Sequence, residues 1–178
     1  MTALCVYCSS ADAIDPAYLA LAREVGTRVA AGGHTLVSGG SRLSMMGEVA
    51  RAARAGGAHT VGVMPTRLMP REIADDDADE LVIVDSMRER KRLMESRADA
   101  FLALPGGIGT LEELMEMWTS RSLGMHAKPV AVLDPDGFYE PFFGWVRSLC
   151  ERGFVRTAAL DVLIRASSVD EAFTRLGL

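Results

Sequence analysis

The chain has 178 residues, 49% of them apolar and only 6% aromatic, with a net charge of −5. That length suits one domain, able to bury most of its apolar surface without disulfide or metal staples, and the acidic balance argues against a nucleic-acid surface. No apolar stretch approaches membrane-spanning length and the first residues lack a basic-then-apolar signal pattern, so a cytoplasmic protein with no membrane partner is expected.

Short β-rich runs alternate with helical patterns along the whole chain. Strands are predicted at 4–7, 35–38, 60–64, 81–84, 100–104, 130–133 and 162–165, and helices at 16–31, 45–55, 87–96, 111–122, 139–152 and 169–176. Gly32-Gly33, Gly56-Gly57 and Gly124 stand where left-handed caps stop helices. This alternation with short links implies right-handed crossovers and an α/β fold, a doubly wound parallel sheet covered on both faces.

In the first strand, Cys5-Val6-Tyr7-Cys8 has redox-motif spacing, but residues three apart on a strand point to opposite faces, so the thiols diverge. The three histidines, His34, His59 and His126, are scattered without paired ligand spacing, and no protein-bound metal is expected. The run Asp75-Asp76-Asp77-Ala78-Asp79-Glu80 lacks the glycine and alternating ligands of a calcium loop and reads as a solvated loop.

Ligands of a doubly wound sheet sit beyond the carboxyl ends of the strands, at a topological switch point. Three polar or glycine-rich turns fall there: Cys8-Ser9-Ser10-Ala11-Asp12, Ser38-Gly39-Gly40-Ser41-Arg42 and Pro105-Gly106-Gly107-Ile108-Gly109-Thr110. Each alone is ordinary turn chemistry. Together they point to a pocket for a phosphorylated small molecule.

The third turn carries most information. Its glycines let the backbone approach a ligand closely, with positive φ available, and the helix that follows offers unpaired N–H groups to a phosphate. It is neither a Walker loop, lacking Gly-Lys-Ser/Thr, nor a dinucleotide fingerprint, since Glu112 stands where the third glycine belongs. A carboxylate in an anion-binding turn needs explaining. Thr110-Leu111-Glu112-Glu113 reads as a capping box, with Glu113 reaching back to the Thr110 amide, and a catalytic carboxylate is the competing reading.

Upstream, Ser86-Met87-Arg88-Glu89 opens a helix with another capping box. Arg90 lies three or four positions from Met87, Leu93 and Met94, beside the apolar stripe, where a guanidinium needs an anionic partner: a ligand phosphate or Glu113. Lys91 and Arg92 are read as snorkelling.

These residues resemble a known family. Pro105-Gly106-Gly107-Ile108-Gly109-Thr110-Leu111-Glu112-Glu113 is similar to the PGGxGTxxE signature of the LONELY GUY (LOG) proteins, and Met87-Arg88-Glu89-Arg90-Lys91 to their M-x-E-R-K segment. Similarity continues through Leu36-Val37-Ser38-Gly39-Gly40, Met46-Gly47-Glu48-Val49-Ala50 and Leu123-Gly124-Met125-His126-Ala127-Lys128-Pro129, and covers essentially the whole chain. The resemblance implies a single Rossmann-like domain over 1–178, three-layered α/β/α, working as a homodimer without a cofactor. The implied activity is hydrolysis of cytokinin riboside 5′-monophosphates to free base and ribose 5-phosphate. The family's catalytic pair falls on Arg90 and Glu113. Its substrate and phosphate contacts fall on Ser9, Gly39, Gly40, Met87, Lys91, Gly106, Gly107, Gly109 and Thr110. Three departures stand out: Ser41 and Ser44 replace glycines of the second loop, Arg88 stands where His is usual, and Ser9 where Gly is common.

Family members have carried the label lysine decarboxylase, but no lysine here stands in a pyridoxal-phosphate context. Met117, Trp118 and Leu123 fit core or dimer packing better than an apolar base pocket. Two other functions share the glycine loop: a general purine nucleoside monophosphate nucleosidase, and a nucleotide or cofactor carrier without turnover. Only an enzyme requires Glu113 and Arg90 together.

Overall fold

The computed structural model describes residues 2–70 and 72–178. Seven strands, β1 (Ala3–Tyr7), β2 (Thr35–Ser38), β3 (Thr60–Pro65), β4 (Glu80–Val84), β5 (Ala100–Ala103), β6 (Val130–Leu133) and β7 (Leu163–Ala166), form one sheet in the order β4-β3-β2-β1-β5-β6-β7. Every neighbouring pair is parallel. The helices are α1 (Pro16–Ala31), α2 (Ser44–Ala55), α3 (Met87–Arg97), α4 (Ile108–Ser122), α5 (Glu140–Glu151), α6 (Thr157–Asp161) and α7 (Val169–Leu176).

Strand alternation builds the two cores. Leu4, Val6 and Cys8 pack with Val25, Val49 and Phe173 under α1, α2 and α7, whereas Cys5 and Tyr7 pack with Met94, Leu114, Trp118 and Phe143 under α3, α4 and α5. The thiols of Cys5 and Cys8 thus lie on opposite faces, and burial pushes both well above the ordinary thiol pKa. Each fully buried Leu, Val or Phe in these layers contributes ~1.5–3 kcal/mol. The sheet reverses its winding between β1 and β5, which opens a crevice at their carboxyl ends.

Gly33, Gly57 and Gly124 adopt the left-handed caps expected of them. Helix α4 differs. It begins at Ile108 with Gly107 as its N-cap and no side-chain cap, so the Thr110–Glu113 capping box does not form. Thr110 already lies inside the first turn, because the Gly106–Gly107 backbone enters the helix earlier than the apolar pattern implies. At Ser86 the hydroxyl half of the box forms, accepting from the Glu89 amide at 3.2 Å, while Glu89 accepts from the Asp85 amide in place of the Ser86 one; Ser168 and Glu171 repeat this at α7.

The acidic run is solvated only in part: Asp76, Asp77 and Asp79 are exposed, but Asp75 is buried. Parallel β3 and β4 are joined by a strap that holds a single 3₁₀ turn (Thr66–Leu68) and takes the place of a crossover helix. It is tied down at several points. Ser41 and Ala74 form an antiparallel bridge, the Asp75 amide donates to the Gly40 carbonyl at 2.9 Å, and buried Asp75 accepts both Nη1 and Nη2 of Arg54 at 2.7 and 3.0 Å. Asp79 accepts from the Thr60 amide and hydroxyl. The charges alternate with backbone ties, a pattern that composition alone reads as solvated.

Ser44, which stands where the family pattern has glycine, carries a left-handed backbone at φ 48°, and among the described residues its buried Oγ has no hydrogen-bond partner. The left-handed region is costly for an L-residue. Ser44→Gly is expected to raise stability by up to about 1 kcal/mol, after the extra unfolded-state entropy of glycine is subtracted. That corresponds to about 2–4 °C in thermal unfolding. An unchanged or lower midpoint would contradict strain at this position.

Candidate active site

A cleft of about 190 Å³ opens at the switch point, lined by Ser9, Ser10, Glu72, Met87, Arg90, Gly107, Gly109, Thr110 and Glu113 among others. Its floor and walls come from five carboxyl-end segments: the loop after β1, the start of α2, the strap after β3, the start of α3 and the turn into α4.

Arg90 is the centre of this arrangement. It is 5% exposed, and its side chain runs between β2 and β3, where Nε donates to the Val63 carbonyl at 3.0 Å and Nη2 to the Gly39 carbonyl at 2.9 Å. Its nearest carboxylate is Glu72, at 4.0 Å from Nη2. Nη1 meets only the weak acceptor Sδ of Met87, at 3.9 Å, among the described residues. One edge of the guanidinium is docked on backbone and the other is left for a ligand. The expected partner, Glu113, acts on Arg90 at Coulombic range, while the direct contacts are two carbonyls and Glu72.

Glu113 projects from the second turn of α4 into the same cleft. Desolvation raises its pKa to about 7; Arg90 opposes the rise and the charges of Glu112 and Glu72 add to it. A carboxyl poised there changes protonation near neutral pH, as general acid–base groups do.

The glycines divide by role. A Cβ on Gly39 would come 1.9 Å from Nη2 of Arg90, so that glycine is the passage through which the guanidinium reaches its carbonyl. A Cβ on Gly106 would meet Thr110 Oγ1 at 2.1 Å, so Gly106 packs the turn against buried Thr110. Gly107 and Gly109 face open space and line the cleft with bare backbone at the start of α4. None of these three turn glycines uses a positive φ, so conformational freedom does not explain them.

Ser9, Met87, Arg90, Gly107, Gly109, Thr110 and Glu113 therefore meet in one cleft, as the sequence implies. Gly39, Gly40 and Gly106 stand behind it as support. Lys91 is elsewhere: its Nζ pairs with Glu116 at 2.8 Å and with Glu112, on the outward side of α4. Two acidic residues one helical turn apart on α4 hold it there. Glu72 and Met46 are the lining residues that pattern reasoning does not find. Glu72 lies in the strap, where no periodicity or motif marks it, and only the folded ties at Ser41 and Gly40 bring it to Arg90.

A larger groove of about 510 Å³ lies away from this cleft, lined by Met115, Trp118, Leu123, Trp145, Leu149 and Phe154 among others. It is apolar and offers no convergent titratable groups. Trp118 and Leu123 belong to this surface and not to the cleft.

Comparison with known proteins fits this geometry. Residues 46–176 match the family model described as "Possible lysine decarboxylase". The chain is 50% identical over 94% of its length, and 89% of the relative's, to a cytokinin riboside 5′-monophosphate phosphoribohydrolase of Mycobacterium marinum. It is 43% identical, over 97% of its length and 72% of the relative's, to the LOG phosphoribohydrolase of Oryza sativa. The chain belongs to the LONELY GUY family. Among solved structures, a molybdenum cofactor binding protein of Rippkaea orientalis superposes with a TM-score of 0.76 at 19% identity, covering 99% of this chain and 95% of that one. The carrier protein for the same cofactor from Chlamydomonas reinhardtii superposes at 0.73 with 21% identity, over 99% of this chain and 95% of that one. At such identities the likeness concerns the fold.

The decarboxylase wording of the LONELY GUY family model does not suit the site. A pyridoxal-phosphate enzyme needs a lysine at its reacting centre. This chain has two lysines; Lys91 is paired with Glu112 and Glu116, and Lys128 donates to the Glu95 carbonyl at 2.6 Å. Neither lines the cleft.

Burial of Glu113 generates a pH-dependent stability difference. Its folded pKa is about 7, against an ordinary glutamate value of 4.5, so folding favours the protonated form. The wild type should lose stability as pH rises from about 4.5 to about 7, where the unfolded chain is ionised and the folded one resists. Glu113→Gln carries no such penalty. Its melting temperature should match the wild type near pH 4.5 and exceed it increasingly up to about pH 7. A difference independent of pH would contradict the burial of this carboxyl.

Proposed function

We propose that this protein hydrolyses the N-glycosidic bond of cytokinin riboside 5′-monophosphates, giving free base and ribose 5-phosphate. The observation that carries this reading is the convergence of Glu113, Arg90 and the open backbone at the start of α4 in one cleft. The names of relatives up to 50% identical across nearly the whole chain support it.

The 5′-phosphate is held by the N–H groups around Gly107 and Gly109 and by Thr110, at the positive end of α4. That anchor sets the anomeric carbon beside Glu113. As the C1′–N9 bond breaks, its electron pair leaves with the base and positive charge develops on the ribose. Ionised Glu113 stabilises that charge and takes a proton from the attacking water, whose oxygen bonds to C1′; the departing base takes up one proton from solvent and Glu113 returns its own to solvent, which restores the enzyme. The free edge of Arg90 binds the polar groups of the substrate and holds the carboxylate anionic. Binding energy from the remote phosphate positions the reacting centre.

The working form in this proposal is a cytoplasmic homodimer. Met115, Leu123, Trp145 and Phe154 leave large apolar side chains exposed around the groove of α4 and α5, and a second copy covers such a patch. Among the described residues no helix is long and apolar enough to cross a membrane.

The test is hydrolysis of N6-prenylated AMP beside its unphosphorylated riboside, with free base as the readout. The monophosphate should turn over and the riboside should not, because the phosphate contacts are lost with it. Glu113→Gln and Arg90→Ala should each reduce turnover by roughly 10²-fold or more. The double variant should be less impaired than the product of the two, since the residues act as a unit. Equal turnover of riboside and monophosphate, or full activity in Glu113→Gln, would sink the proposal; tight binding without turnover would favour a carrier.

A further inference from the structure

Glu72 has an unexplained half. Its Oε1 accepts from the Ser10 hydroxyl at 3.0 Å, but Oε2 is buried and has no hydrogen-bond partner among the described residues. Among the described residues the nearest cation, Arg90 Nη2, is 4.0 Å away and already committed to the Gly39 carbonyl. A buried carboxylate oxygen without a donor is costly, and native structures rarely keep one without use. The same residue lines the cleft. Its loop is tied down on both sides, with its own amide donating to the Leu68 carbonyl at 2.7 Å and the Arg42 amide donating to the Ile73 carbonyl at 2.9 Å. The backbone that carries the acceptor is held in place, and a turn of the carboxylate presents Oε2 to the cleft.

The substrate must supply the donor, and this step rests on the phosphoribohydrolase reading above. A phosphate dianion has no proton to give and is repelled. The exocyclic amine of the base lies at the far end of the purine from the anomeric carbon. Glu72 instead sits near the reacting centre, since its charge acts on Glu113 and its oxygen lies beside Arg90. The donor adjacent to the anomeric carbon is the ribose 2′-hydroxyl. We propose that Glu72 Oε2 accepts a hydrogen bond from this hydroxyl and makes the protein selective for ribonucleotides over 2′-deoxyribonucleotides. Such a bond strengthens as charge builds on the ring, so it acts on the transition state as well as on binding. Ser10 is the positioning residue that aims the carboxylate.

The experiment compares kcat/KM for N6-prenylated AMP and its 2′-deoxy analogue in wild type, Glu72→Ala and Ser10→Ala. The wild type should prefer the ribonucleotide by roughly 10²-fold or more, because the deoxy compound leaves Oε2 unpaired. Glu72→Ala should narrow that preference to under about tenfold by losing more rate on the ribonucleotide than on the deoxy compound. Ser10→Ala should fall between them, and it tests the same contact if Glu72→Ala does not fold. An equal loss on both substrates would overturn the inference and make Glu72 a support for Arg90; so would a wild type that does not discriminate. Should the wild type hydrolyse neither compound, the reaction itself is wrong. Calorimetric binding of AMP against 2′-dAMP then still judges Glu72, and equal affinities would overturn its assignment.

Discussion

A guanidinium buried between two strands must find acceptors for its donors or lose far more in desolvation than it gains in packing. Arg90 meets that demand with the carbonyls of Val63 and Gly39, on the ends of β3 and just past β2. Arginine's rigid fork suits this, since one plane reaches two fixed oxygens and still presents a free edge. Most of the site follows from the docking. Gly39 has no room for a side chain because Nη2 occupies it. Glu72 is drawn to within 4.0 Å, and the strap that bears it is fastened to Gly40 and Ser41 in the same loop.

The electrostatics divide labour between one cation and two carboxylates. Burial pushes Glu113 up to about 7, so the energy needed to ionise it at neutral pH is small and its charge is available to a cationic transition state. Arg90 restrains the rise; Glu72 adds to it. The proposed phosphate site is separate, built from backbone at the start of α4. Chemistry and anchoring thus use different parts of one turn-and-helix unit, with Glu113 following Thr110 by three residues.

Much of this was legible beforehand, for physical reasons. Strands buried on both faces read as continuous apolar runs, and β2 and β6 lie where the pattern puts them, at Thr35–Ser38 and Val130–Leu133. The parallel order follows from the alternation with helices. Arg90 was marked by sitting beside an apolar stripe. What escaped the sequence depends on three-dimensional ties. The start of α4 moved because a glycine can be an N-cap without a side-chain signal. Asp75 looked solvated because its partner, Arg54, is 21 residues away. Lys91 matched a motif, yet two glutamates on the neighbouring helix hold it. Glu72 has no local signature at all; its place comes from a strap whose path only the folded sheet defines. Short α6, with five residues, is too brief to declare a period.

The forked contact of Arg90 with two backbone carbonyls organises the cleft. Single-turnover hydrolysis of N6-prenylated AMP by Arg90→Lys tests it most directly, with thermal melting alongside. Lysine keeps the charge, but one ammonium cannot span both carbonyls and still offer an edge to the substrate. The account predicts a rate lower by roughly 10²-fold or more in a folded protein. A lysine variant that turns over at the wild-type rate would contradict it, leaving positive charge alone as the requirement.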